Sequence, residues 1–224
     1  MAKKKSKKTA SAARDAGHKE AVGVNGNAAD SVAKLFTALQ EKGAAWYGRE
    51  REGIALIEGF QSALLAVRDA QAAATVVAER DEQSGEVALA GLAGNAAMDP
   101  WLAEDLYQQV QELSSGFEEL LEHMYALLDQ ARQIVLGAAE DGQEQQVEAT
   151  QLRPVDYLQM MSQELATFEA EYQHIEALLR LISFETSTDE LRTLVISWST
   201  SPFLDPAQSR SFLQRHQISQ QQHA

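Results

Sequence analysis

Apolar residues return at alternating steps of four and three along much of this 224-residue chain. The run is cleanest at Leu106, Val110, Leu113, Phe117, Leu120, Met124, Leu127, Ala131 and Ile134. A mean step of about 3.5 residues keeps one stripe of a helix facing a neighbouring helix, so the pattern predicts a coiled-coil-like seam. The alternation returns at Leu158, Met161, Leu165, Phe168, Tyr172, Ile175, Leu179 and Ile182. A looser stripe, Val32, Leu35, Phe36, Leu39, Trp46, Ile57, Phe60, Leu64 and Val67, predicts a first long helix.

Local signals place the ends of these elements. Asp30-Ser31 offers an N-cap for a helix over about 31–80. Gly43, Gly48, Gly53 and Gly59 weaken it, each by about 1 kcal/mol relative to Ala, and a bend or break is expected near Gly53. Residues 81–98 read as a loop. Asp99 and Pro100 open the second helix as cap and first helical residue, and Gly137 closes it. Residues 138–153 are polar and read as a linker, after which Pro154 opens the third helix, ending near Phe184. Ser187 followed by Glu190 is a capping-box start for a short helix bearing Leu191, Leu194, Val195 and Trp198. Asp205-Pro206 begins a last turn or two with Phe212 and Leu213.

No alternation of period two and no Asn-Gly hairpin between β-branched runs is present. The expected fold is therefore all-α: an elongated antiparallel bundle of three long coiled-coil-like helices with short C-terminal helices, over residues 30–215. Residues 1–29 hold almost no large apolar side chains and residues 216–224 are rich in Gln, and both read as disordered tails.

Charge narrows the functional classes. The net charge of −14 conceals a split, since residues 1–20 hold seven of the 19 basic residues and two of the 33 acidic ones. The other 204 residues carry 12 basic against 31 acidic side chains, and no lysine follows Lys42. Such a surface repels phosphate backbones, which excludes direct nucleic-acid binding by the body of the chain. The cluster Lys3, Lys4, Lys5, Lys7 and Lys8 has the composition of a nuclear import signal, so the expected location is the nucleus. There is no cysteine, and no apolar run approaches the length of a membrane span or a secretory signal.

Chemistry is sparse. Glu171 and His174 have the Glu-x-x-His spacing of di-iron bundles, but that chemistry needs the motif twice plus two inward carboxylates. Here it occurs once, His123 has no such partner, and both residues flank the expected seam, so they read as a solvated helix shoulder. No phosphate-binding loop, nucleophile elbow or zinc-protease motif is present, so no catalytic residue, metal or cofactor is assigned and the chain is read as non-enzymatic. Arg192 to Ile196 contains an Arg-x-Leu-x-apolar pattern similar to a cyclin-docking peptide, but within a helix. Ser201-Pro202 is a minimal proline-directed phosphorylation site.

The block from Thr193 to Pro206 stands out against its Ala-, Glu- and Gln-rich surroundings. Trp198 is in phase with Leu191, Leu194 and Val195 and reads mainly as core. Phe203 and Leu204, held between Pro202 and Pro206, read as external contacts. The same block carries a resemblance: Leu194-Val195-Ile196-Ser197-Trp198, then Ser201-Pro202-Phe203-Leu204, then Ser209-Arg210 resembles the C-terminal pattern of the cyclin-dependent kinase 2-interacting protein family. Asn27-Ala28-Ala29-Asp30 and Val155-Asp156-Tyr157 are similar to two further stretches of that family, although Ser31 stands where the family tends to have Trp. The resemblance implies a non-enzymatic nuclear adaptor. Its partners would be a second small helical protein, AAA+ ATPases and a cyclin-dependent kinase or cyclin, in 60S ribosome maturation and in DNA replication and checkpoint processing. Partner-binding residues are then expected at Trp198, Ser201, Pro202, Phe203, Leu204 and Asp205. The alternative is a homo-oligomeric coiled-coil scaffold or tether with no ATPase link.

Overall fold

The computed structural model describes residues 24–81, 99, 101–140 and 151–221, and every regular element among them is a helix. These are α1 (Val24–Asp81), α2 (Leu102–Glu140), α3 (Pro154–Leu179), α4 (Thr188–Ser199) and α5 (Pro206–Gln221). The import lysines and residues 82–98 lie outside the described residues. None of the described helices is long and apolar enough to cross a membrane.

Contacts between α1 and α2 run in opposite senses, with Phe60 on Tyr107 (ring centroids 5.6 Å apart) and Trp46 on Phe117 (4.7 Å). Those between α1 and α3 run in the same sense, from Phe36 on Tyr157 (5.6 Å) to Trp46 on Phe168 (5.2 Å). The three long helices share one apolar core, into which Leu191, Leu194 and Trp198 of α4 and Phe212 of α5 also reach. The α3–α4 turn is tied to α1: the Arg68 guanidinium donates to the Phe184 and Thr186 carbonyls (2.8 and 2.9 Å). Gln61 Nε2 donates to the Thr188 carbonyl (2.8 Å).

Several expected boundaries move. α1 starts at Val24, upstream of the proposed Asp30-Ser31 cap. Val32 and Ala33 are buried, and once that turn is packed each further helical residue adds a hydrogen bond at little extra cost. α2 runs past Gly137 to Glu140, and α3 stops at Leu179 with a turn carrying the chain to Ser187. α5 continues to Gln221, so residues 216–221 are not a disordered tail. The reason is local: Ser219 is buried, and its Oγ accepts the Leu152 N–H (3.0 Å). The α4 capping box is present as expected, with Ser187 Oγ accepting the Glu190 N–H (3.2 Å) and Glu190 Oε2 accepting the Ser187 N–H (2.9 Å). At the start of α2, Asp99 Oδ1 accepts the Trp101 N–H (3.0 Å).

Gly53 does not break α1. It lies directly under the α4 indole, and a Cβ there would lie 2.6 Å from Trp198 Cη2 and 3.3 Å from Leu113 Cδ1. Gly48, one and a half turns earlier, has nothing within 4 Å of the same position. The two glycines should therefore respond oppositely to alanine. Gly48→Ala gains helix propensity and is expected to raise stability by about 0.5–1 kcal/mol. Gly53→Ala has the same gain but overpacks a buried indole, and is expected to lower stability by about 1–2 kcal/mol net. Urea denaturation of the two variants checks the pair; a stabilised Gly53→Ala would mean that α4 does not seat on α1 as described.

Candidate interaction site at the junction of α4 and α5

The helical frame of α3 explains what the junction rests on. The expected seam is apolar and largely buried, but a second frame shares half of its positions: Tyr157, Met161, Glu164, Phe168, Glu171, Ile175, Leu178 and Ile182. All eight are buried. Three of the four positions peculiar to this frame are polar, spaced seven residues apart, and each meets the C-terminal segment. The Tyr157 hydroxyl lies 2.9 Å from His216 Nδ1. Glu164 Oε1 accepts from Ser209 Oγ (2.8 Å), while its Oε2 accepts from Gln40 of α1. Glu171 Oε2 accepts the Phe203 N–H (3.1 Å). A ladder of buried polar groups on α3 thus seats residues 203–216.

Glu171 is therefore not on a solvated shoulder: it is fully buried. Its reading failed because the seam has two frames, and Glu171 occupies the one that receives α4 and α5. Burial raises its pKa above the usual carboxylate value, against the lowering effect of the Phe203 N–H and of His174. Its Oε1, like Trp198 Nε1, is buried with no hydrogen-bond partner among the described residues. Each such orphan costs about 1–3 kcal/mol.

Glu50 of α1 completes the floor. It is buried, accepts from Trp46 Nε1 (3.1 Å) and from Ser201 Oγ (3.4 Å), and its pKa is pushed up to about 7. Desolvation is the main cause, with the Glu171 carboxylate adding to it and the Trp46 and Ser201 hydrogen bonds opposing it. Sequence reading missed Glu50, although the signal was present: it continues the four-three spacing Trp46, Glu50, Gly53, Ile57, Phe60, Leu64. An apolar stripe drawn from Trp46 to Ile57 leaves that position out because its residue is charged.

Over this floor the chain turns sharply. Ser201 has φ 39°, the only positive φ at a non-glycine among the described residues. Its N–H donates to the Trp198 carbonyl (2.9 Å), and its own carbonyl accepts the Leu204 N–H (3.1 Å). The left-handed residue ends α4 as a glycine would, at a strain cost of about 1–2 kcal/mol. Asp205 Oδ1 then caps α5 by accepting the Ala207 and Gln208 N–H groups (2.9 and 3.0 Å).

The expected contact residues divide. Trp198 is fully buried, its ring 6.0 Å from that of Phe117, so it faces no partner here. Leu204, expected outside, is buried because the turn at Ser201 points it inward. Pro202, Phe203 and Asp205 are exposed and Ser201 partly so. Phe203 is 50% exposed, its ring edge-on to His174 at 5.8 Å, and Ile196 on α4 is 56% exposed. Phe203→Ala is accordingly expected to cost under about 1 kcal/mol, and thermal unfolding beside the Trp198 variant measures the difference. A comparable loss from both would overturn this division.

A cleft of about 300 Å³ adjoins the junction between α1, α3 and α5, with Glu164 and Arg210 among the residues that line it. Among the described residues no group of three or more acidic or histidine side chains is placed to hold a metal ion. No family model, curated protein or solved structure matches the chain.

Proposed function

We propose that this protein is a non-enzymatic adaptor that works in the nucleus as a subunit of a multiprotein complex. In this reading its three long helices form an elongated antiparallel, coiled-coil-like rod that pairs with a second small helical protein. The α4–α5 junction then docks an AAA+ ATPase, with a cyclin-dependent kinase or cyclin as a further partner, in 60S ribosome maturation or in replication and checkpoint processing. These partners come from the resemblance carried by Leu194–Trp198 and Ser201–Leu204. The observation that carries the docking part is that Phe203 and Ile196 stand exposed in that block while Trp198 beneath them is locked into the core. A rigid base presenting an exposed aromatic side chain suits an interface anchor, because little ordering entropy is lost on binding.

Affinity purification of the tagged full chain from nuclear extract, followed by mass spectrometry, tests the reading against Phe203→Asp and Ile196→Asp. An AAA+ ATPase and a small helical protein should be recovered with the natural chain, and the ATPase lost with the variants. Recovery of neither partner, together with a stable self-associated dimer in sedimentation, would instead favour the homo-oligomeric scaffold.

A further inference from the structure

Ser201 combines three properties that the adaptor reading does not use. It is the only Ser or Thr in the chain followed by proline, the other three prolines being preceded by Asp99, Arg153 and Asp205. It holds the left-handed backbone conformation noted above, at φ 39°. Its hydroxyl lies 3.4 Å from a buried carboxylate oxygen of Glu50. Motif, strain and a buried carboxyl group meet at one atom.

We propose that Ser201 is a phosphoacceptor for a proline-directed Ser/Thr protein kinase, and that its phosphorylation expels the 201–204 turn from the floor formed by Glu50 and Glu171. The reaction is ordinary phosphoryl transfer from MgATP. Ser201 Oγ bonds to the γ-phosphorus, the bond from that phosphorus to the ADP oxygen breaks, and the hydroxyl proton passes to the kinase's catalytic base.

Reaching Oγ requires the turn to open, because a left-handed residue before proline departs from the extended backbone that pre-proline residues favour. The strain at Ser201 lowers the cost of opening, and partial exposure of Ser201 with full exposure of Pro202 leaves the segment at the surface. Closing again is a different matter. The serine hydroxyl has Glu50 Oε1 and the Trp198 carbonyl as acceptors, each at 3.4 Å, whereas a phosphate carries a charge of about −1.5 to −2 and cannot donate to either in its dianionic form. It would sit over Glu50 of α1 and beside Glu171 of α3. Among the described residues neither carboxylate has a lysine or arginine in an ion pair. His174, which packs on Phe203, is a basic group on this face. Repulsion and desolvation both oppose re-docking, so Leu204 loses its burial and the Phe203 N–H loses its acceptor.

The rest of α5 keeps independent attachments through Ser209, His216 and Ser219, which predicts a local release and not global unfolding. The inference does not depend on the identity of any partner.

The test uses the full chain. Incubation with an active proline-directed kinase and MgATP should place phosphate on Ser201, mapped by mass spectrometry, with incorporation at that site abolished in Ser201→Ala. Hydrogen exchange at the Phe203 and Leu204 amides should then accelerate at least tenfold, while exchange in the middle of α2 is unchanged. A chain with phosphoserine installed at position 201 during translation separates release from kinase access and should show the same acceleration. Measured at pH 8, where the Glu50 carboxyl of the natural chain is ionised, the acceleration should shrink in Glu50→Gln, since one of the two repelling carboxylates is then replaced by a neutral amide. Absence of phosphate at Ser201 in the full chain, or a phosphorylated chain whose Phe203 and Leu204 amides exchange at the unmodified rate, would overturn the proposal.

Discussion

Trp198→Ala is expected to lower the stability of the chain by about 3–5 kcal/mol and its melting temperature by roughly 10 °C. The indole is fully buried, faces Phe117, and fills the space that Gly53 leaves open on α1. Removing it leaves a cavity bordered by α1, α2 and α4, and the backbone of α1 cannot collapse into it without losing the Trp46 contacts above. The effect should be partly recovered by Trp198→Phe. The smaller ring keeps much of the apolar contact and removes an indole N–H that is buried without a partner. Urea denaturation of the two variants gives the comparison. A Trp198→Ala loss below about 1 kcal/mol would return Trp198 to the surface and the interface.

The second large effect concerns pH. Glu50 holds its proton more tightly in the folded chain, with a pKa of about 7 against an ordinary 4.5. The native state therefore gains from this group below the ordinary value and loses that gain as the pH rises toward 7. Burial shifts Glu164 and Glu171 in the same direction. His216 acts oppositely: burial lowers its pKa, so folding is penalised as the pH falls below its ordinary 6.5. Three raised carboxyls against one depressed histidine predict a chain more stable near pH 5.5 than near pH 8. Between those two pH values the Glu50 share is on the order of 1–2 kcal/mol. The expected result is a melting temperature that falls steadily across that range in natural chain and less steeply in Glu50→Gln, which keeps the Trp46 hydrogen bond. An equally steep fall in the variant would assign the slope to the general negative charge of the surface instead.

The two effects also mark how far the sequence could be read. Period and caps made the helices legible: the capping box at Ser187 and Glu190, the core position of Trp198 and most of the stripe in α2 follow from spacing within one segment, although Leu121 and Leu128 are buried where Leu120 and Leu127 were expected. Helix ends were harder, because α1 and α5 are extended by contacts that local capping signals do not contain. The candidate site was half legible. Its exposed phenylalanine was marked by the flanking prolines, but Leu204 was placed on the wrong side, since the left-handed backbone at Ser201 that turns it inward is a serine where a glycine would have announced the turn.

What the amino-acid sequence determined by itself is the periodicity: where helices form, and which residues compete for burial along each. What only the tertiary structure decided is which of two overlapping frames on α3 faces the C-terminal segment. That choice put Glu164 and Glu171 out of water, and the same C-terminal segment covers Glu50 of α1 through Ser201. A carboxylate on a helix reads the same on a solvated face as on a buried one, and its environment is set by the element that packs over it, here a segment that lies more than thirty residues away along the chain.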